Sequence, residues 1–247
     1  MRLPKDIQDF LAGYPDTEDN LALSSNIEFY SNTRRCQPDD MLISEIHSQW
    51  FGDYETLERR HGFIQWLFPI REHGLNFLSQ PLQKHEVAVL TADPTLRRRV
   101  LRSYKLMLDF YGMQLISPET GLIGRVAAPR NYSTRYHNLI RSPHNYLRIS
   151  RILKCLAELG LEWLNAGFLL HVLSEQSESN ELNTAGIIHS MDHWWSNCIR
   201  NAEERAYIGD AIRKVRAGNL GFTRKMYVRA LERRRHSGSF HHQGAST

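Results

Sequence analysis

One stretch, Asp93 to Gly112, sets what kind of core this 247-residue chain can build. An Asp-Pro pair opens it, and Leu96, Val100, Leu101, Tyr104, Met107, Leu108 and Tyr111 then return every three or four residues until Gly112. Aspartate accepts from the first unpaired amides of a helix, and proline fits its first turn. Apolar side chains at 3-4 spacing gather on one face. Such a helix needs other apolar faces to lie against, and the remaining sequence supplies them. Asp39 or Asp40 is predicted to cap a helix carrying Met41, Ile43, Ile46 and Trp50, which Gly52 ends. Asp53 is predicted to cap one continuous helix from Tyr54 to Phe68, stopped by Pro69. Asn131 opens a helix through Ile140, and Ser142 with Pro143 opens another that Gly160 terminates. Glu162 to Gln176, Thr184 to Arg216 as one long or broken helix, and a basic Phe222 to Arg235 complete the series. Turn and β-branched residues depart from this pattern between Met113 and Val126, predicting a strand pair that turns near Glu119, Thr120 and Gly121. The fold class is therefore mainly α: a single compact multi-helix domain with one short β-hairpin around residues 113–126. The expected organisation is an N-terminal arm over 1–25, a helical domain over 26–217, and a basic C-terminal helix and flexible tail over 218–247.

Composition excludes several classes. Cys36, Cys155 and Cys198 are scattered and odd in number, so neither a disulfide framework nor a zinc ribbon is expected, and a reducing compartment fits. The longest apolar run, Ala166 to Leu173, is eight residues and contains His171, too short for a transmembrane segment. Charge is uneven: residues 1–60 hold 6 Lys/Arg against 12 Asp/Glu, whereas residues 213–247 hold 9 against 1. No acid occurs between Glu119 and Glu158, where Arg125, Arg130, Arg135, Arg141, Arg148, Arg151 and Lys154 make a candidate anion-binding surface.

No catalytic signature stands out. G-x-S-x-G and glycine-rich phosphate loops are missing from the sequence, and neither a metal nor another cofactor is implied. His189 and His193 are four apart beside Asp192, but such a pair arises often by chance and no third ligand is indicated by the spacing, so a helix-surface or packing role is expected rather than a metal site. Two clusters are more informative. In FIQWLFPIREHGLN, residues 63–76, Trp66 with Arg71 suggests a pocket wall and a polar anchor. The plainer reading makes Trp66 core and Arg71 a clamp on the carbonyls at a helix end. In YHNLIRSPHNYLRISRILK, residues 136–154, the wheel places Asn145 with Ile149, Ile152, Leu153 and Leu156 on a buried face. Arg151 and Lys154 point away from it, and Arg148 lies at its border. Asn138, His144, Asn145, Arg148 and Arg151 then form either a ligand site near a helix N-terminus or an internal brace between helices. The terminal Arg224, Lys225, Arg229, Arg233, Arg234 and Arg235 offer an alternative, polyanion-binding surface for nucleic acid or an anionic lipid face.

FIQWLFPIREHGLN, RRVLRSYKLMLDFYGM, TGLIGR and RYHNLIRSPHNYLRISRILKCLAELGLE together resemble the conserved domain of the opioid growth factor receptor family, with the likeness running from about Asn26 to Glu162. The resemblance implies a non-classical receptor, unrelated to seven-helix receptors, that binds a methionine-enkephalin-like peptide or other partner to regulate cell growth. It implies an intracellular location, cytoplasmic or perinuclear and nuclear. Two alternatives stay open: a nucleic-acid or polyanion-binding helical module, and an enzyme acting on a phosphate-bearing small molecule.

Overall fold

A computed structural model describes residues 3–241. The expected flexible tail falls partly on 242–247, outside the described residues. Six helices precede the hairpin's own neighbour: α1 (Lys5–Leu11), α2 (Ser25–Tyr30), α3 (Ile43–Gln49), α4 (Tyr54–Arg59), α5 (Phe63–Leu67) and α6 (Lys84–Ala92). Then come α7 (Pro94–Phe110), the antiparallel hairpin β1 (Met113–Ser117) and β2 (Leu122–Arg125), and α8 (Tyr132–Arg141). The chain continues through α9 (His144–Glu158), α10 (Trp163–Glu178), α11 (Ala185–His193), α12 (Ala202–Arg216) and α13 (Arg224–Ser237). The mainly α class and the hairpin agree with the sequence, and the Thr184–Arg216 segment takes its broken form, with a 3-10 turn at Trp195–Asn197.

Cap chemistry explains the boundaries that match and one that does not. Asp93 accepts from the amides of Thr95 and Leu96 at the start of α7, Asn131 from Ser133 and Thr134 at α8, and Asp53 from Thr56 at α4. Neither Asp39 nor Asp40 caps α3. Asp40 sits at φ 51 in the turn closed by the Cys36–Met41 bridge, and the helix starts at Ile43, with the Glu45 carboxylate accepting from the Leu42 amide at 2.8 Å. The helix expected from Tyr54 to Phe68 is two helices. Pro38 comes so close to Gly62 that a Cβ there would lie 2.5 Å from its ring, and the chain breaks where that contact needs room.

One hydrophobic core joins the elements, from Ile7 and Phe10 of α1 to Tyr227 and Leu231 of α13. Its axle is α10, in which Leu164 through Gln176 are all buried. β2, α9, α12 and α13 surround it. The hairpin turn reaches α10 at its closest point: a Cβ on Gly167 would stand 1.9 Å from the Gly121 carbonyl oxygen, and Gly121 itself has φ +80°. Only paired glycines allow that approach. Tyr227 then ties α13 to the same hairpin, its hydroxyl accepting from the Ile123 amide at 2.8 Å. The three cysteines are free and buried.

Candidate functional site

Three residues of the second sequence cluster converge on Glu58, at the end of α4. Asn138 Nδ2 of α8 donates to its Oε2 at 2.8 Å and Asn145 Nδ2 of α9 at 3.3 Å. His144 Nε2 lies 2.9 Å from Oε1, within ion-pair range but off the line of a hydrogen bond. Burial would raise the Glu58 pKa, yet the two amides and the His144 charge outweigh it and hold the carboxyl below its ordinary value. Burial lowers the pKa of His144, and although Glu58 opposes this, the Arg148 charge keeps it down. Arg148 closes the end of α4 by donating to the carbonyls of Leu57 (2.8 Å) and Arg60 (2.6 Å) and to Asn145 Oδ1 (3.1 Å). Asn145 is buried as its helical phase requires, and the group braces three helices.

Trp66 and Arg71 stand apart from that group. The Trp66 indole is in the core against Phe29, with Nε1 donating to the Gln37 carbonyl at 3.0 Å. Arg71 is buried and clamps the amino-terminal segment, donating to the carbonyls of Gly13 (3.2 Å) and Thr17 (2.8 Å). Neither lines the groove beside α9, so no single pocket gathers all seven residues.

That groove, about 580 Å³, runs between α5, the 70–76 segment and α9. Its floor includes Ile64, Ile70 and Arg151, and Leu75 and Leu147 stand on its rim, 90% and 68% exposed. Phe77 and Leu78 extend the apolar rim along the same loop. Arg151 donates from Nε to the Phe68 carbonyl at 2.8 Å, and no carboxylate of the described residues lies within 4.0 Å of it. Burial pushes its pKa down to about 10, so it remains charged at neutral pH. Gly74 lets the loop cross this guanidinium: a Cβ there would meet Arg151 Nη1 at 2.9 Å. Next to it Lys154 departs from the expectation of a solvent-facing side chain. It is buried, with Nζ 2.9 Å from Asp6 Oδ2 and 2.7 Å from Glu72 Oε1, because α1 lies over that side of α9. Burial lowers the Lys154 pKa, but the two carboxylates win and raise it.

Leu75 and Leu147 escaped the sequence reading of the site. Leu147 carried a signal, an apolar residue on the polar side of α9. Leu75 carried none beyond its place in the GLN loop.

The acid-free interval does not form one cationic face. Arg125 pairs with Glu175, Arg130 with Asp109, and Arg135 donates to the Phe110 carbonyl; among the seven only Arg141 is left mainly to solvent. The carboxy-terminal cations also divide. Arg224 donates to the Ile123 carbonyl, Arg233 to that of Phe240, and Arg234 to that of Trp163 and to Glu204, whereas Lys225, Arg229 and Arg235 are exposed. The His189 and His193 rings are 4.4 Å apart, but His193 Nδ1 faces the His189 carbonyl and Asp192 pairs with Arg216. No cluster of three His, Cys, Asp or Glu that could hold a metal ion occurs among the described residues. No helix among them is long and apolar enough to cross a membrane.

Comparison with known proteins places the chain. The profile of the opioid growth factor receptor conserved region matches residues 19–223. Mouse opioid growth factor receptor is 40% identical over 183 residues, covering 73% of this chain and 28% of the mouse protein. Mouse opioid growth factor receptor-like protein 1 is 38% identical over 203 residues, 81% of this chain and 42% of the relative. Human opioid growth factor receptor is 40% identical over 206 residues, 83% and 30% respectively. The chain thus matches less than half the length of these curated relatives. No solved structure matches it. Most of the groove's lining, and the α8 and α9 residues that meet Glu58, lie in the strings that carried the resemblance, and the chain belongs to the opioid growth factor receptor family.

Proposed function

We propose that this domain receives a short peptide in the groove between α5 and α9, as a soluble receptor module of the kind its relatives' names describe. The carrying observation is Arg151: a half-buried guanidinium with no carboxylate of the described residues within 4.0 Å, lying beneath an exposed apolar rim. A peptide offering a carboxylate and a bulky apolar side chain answers both features. The carboxylate meets Arg151 in a charge-assisted bond worth about 1.5–3 kcal/mol, and the side chain covers Leu75 and Leu147. Association costs on the order of 4 kcal/mol or more, which places the affinity of a five-residue ligand in the micromolar-to-millimolar range. Growth regulation and a perinuclear or nuclear location belong to the same reading and come from the family alone.

Calorimetry at high protein concentration tests the binding, with methionine-enkephalin as the free acid and as its carboxy-terminal amide. The acid is expected to bind at least about tenfold more tightly than the amide. Arg151→Ala is expected to erase that difference, and Leu147→Glu, an exposed change that spares the core, to abolish binding of both. No heat from either peptide at millimolar concentration, or equal binding by wild type and Leu147→Glu, overturns the proposal.

A further inference from the structure

The second ligand surface suggested by the structure is centred on α7, outside both basic stretches singled out in the sequence, and meets the carboxy-terminal one at Arg235. Arg98, Arg102 and Lys105 recur at four- and three-residue spacing and are all exposed, so they line one side of the helix. At 1.5 Å per residue the row is about 10 Å long. Among the described residues no carboxylate pairs with any of the three, and the only side-chain hydrogen bond they make there runs from Arg98 Nη2 to the Thr95 hydroxyl. The row does not stop at the helix. Arg97 lies over the ring of half-buried Trp163, 5.4 Å from its centroid, and Arg234 of α13 donates to the Trp163 carbonyl. Glu119, at the hairpin turn, is held below the ordinary carboxylate range by its own amide and by Ser117, and the charges of Arg235 and Lys105 add to the effect. Lys105, the hairpin turn and the end of α13 are therefore neighbours, with Glu119 at the turn and Glu232 on α13 as acids beside them.

We propose that this face, Arg97, Arg98, Arg102 and Lys105 of α7 extended by Arg235 of α13, binds the phosphate backbone of a single-stranded nucleic acid. A linear row of unpaired cations suits a linear row of phosphates, and each contact releases condensed counterions. The Arg97 guanidinium, already held over an indole, offers a planar surface on which an unpaired base stacks. A lipid surface is the poorer fit. The Trp163 ring lies under Arg97 and its Nε1 is committed to the Pro118 carbonyl, so the patch has no aromatic free to enter a bilayer. This surface is separate from the peptide groove, and neither proposal depends on the other.

Fluorescence anisotropy of the full chain with a labelled 20-nucleotide oligouridylate, read from 50 to 300 mM salt, tests the assignment. Binding is expected, with a logarithmic salt slope that falls by about two when three contacts are removed. The triple variant Arg98→Ala, Arg102→Ala, Lys105→Ala is expected to weaken binding about tenfold or more at 50 mM salt. Lys225→Ala with Arg229→Ala, exposed cations elsewhere on α13, is expected to change it less than twofold. Alanine is the best helix former, so a melt of the triple variant should match wild type, separating lost contacts from lost fold. The proposal fails if oligouridylate does not bind at 50 mM salt or if the triple variant binds like wild type. It fails equally if the Lys225 and Arg229 pair proves dominant, or if only phosphatidylserine vesicles are retained.

Discussion

Two groups of basic side chains in this protein look alike in sequence and behave as opposites in the fold. Between residues 125 and 154 the guanidinium and ammonium groups other than that of Arg141 turn inward: Arg125 to Glu175, Arg148 to the carbonyls ending α4, Lys154 to Asp6 and Glu72. On α7, Arg98, Arg102 and Lys105 face solvent with no carboxylate within reach. The difference shows that cation density along a sequence is a poor guide to a binding surface. What decides is whether a neighbouring element covers the cation and offers it a partner. An inward cation is part of the scaffold, and removing it strands its partner; an outward one leaves the scaffold indifferent.

The largest effect expected from that contrast is at Arg125. Glu175 is buried and receives both Nε and Nη2 of Arg125, so Arg125→Ala leaves a buried carboxylate uncompensated and should cost about 3–5 kcal/mol in urea unfolding. A loss below 1 kcal/mol would put Arg125 with the outward group and break the comparison. Arg148→Met should cost about 2–4 kcal/mol, since two carbonyls and the Asn145 amide oxygen lose a charged donor.

Acid sharpens the contrast by showing how far the outward cations act inward. His47 and His171 have pKa values lowered from 6.5 to about 3, chiefly by burial. The charges of Arg102 and Arg99 add to the effect at His47, and those of Arg224 and Arg125 at His171. Each is neutral when folded and takes a proton when unfolded below pH 6.5, so the unfolded state binds more protons and stability falls as pH drops toward 3. The slope is on the order of 1 kcal/mol per pH unit for each histidine between pH 6 and 5. Arg102→Ala should make this acid limb shallower only as pH approaches the folded value near 3, and melts between pH 4 and 3 that superimpose with wild type would deny the coupling. The smallest effect is at neutral pH: Arg98→Ala and Lys105→Ala should each shift stability by no more than about 0.5 kcal/mol.

The sequence made much of the architecture legible where the deciding contacts are local. Asp53, Asp93 and Asn131 announce helix starts because a cap acts on amides two or three residues away. The break between α4 and α5 was hidden because its cause, Pro38 against Gly62, lies more than twenty residues upstream. Lys154 was placed in solvent for the same kind of reason: the helical wheel puts it off the apolar face, but α1, nearly 150 residues earlier, folds over it and brings Asp6. At the site, Asn145 could be read as buried from its phase alone, whereas its partner Glu58 could not, being 87 residues away. Trp66 is core, the plainer of its two readings, whereas Arg71 clamps the carbonyls of Gly13 and Thr17 rather than those at the end of the helix before it. The α7 row was visible as a run of arginines, yet its lack of acidic partners appears only when α3, the hairpin and α13 are in place around it.

The close seat of Gly121 on Gly167 bears on how the molecule opens. The hairpin lies directly on the axle helix at that point, and Tyr227 hangs α13 from the same hairpin, so the three pieces share one support. Motion there is collective. Amide deuteration along the middle of α10 should therefore await whole-molecule unfolding, while the groove's glycine loop and the outer turn of α7 trade their protons freely. Ligands on either face thus meet a pliable lip set on an unyielding frame.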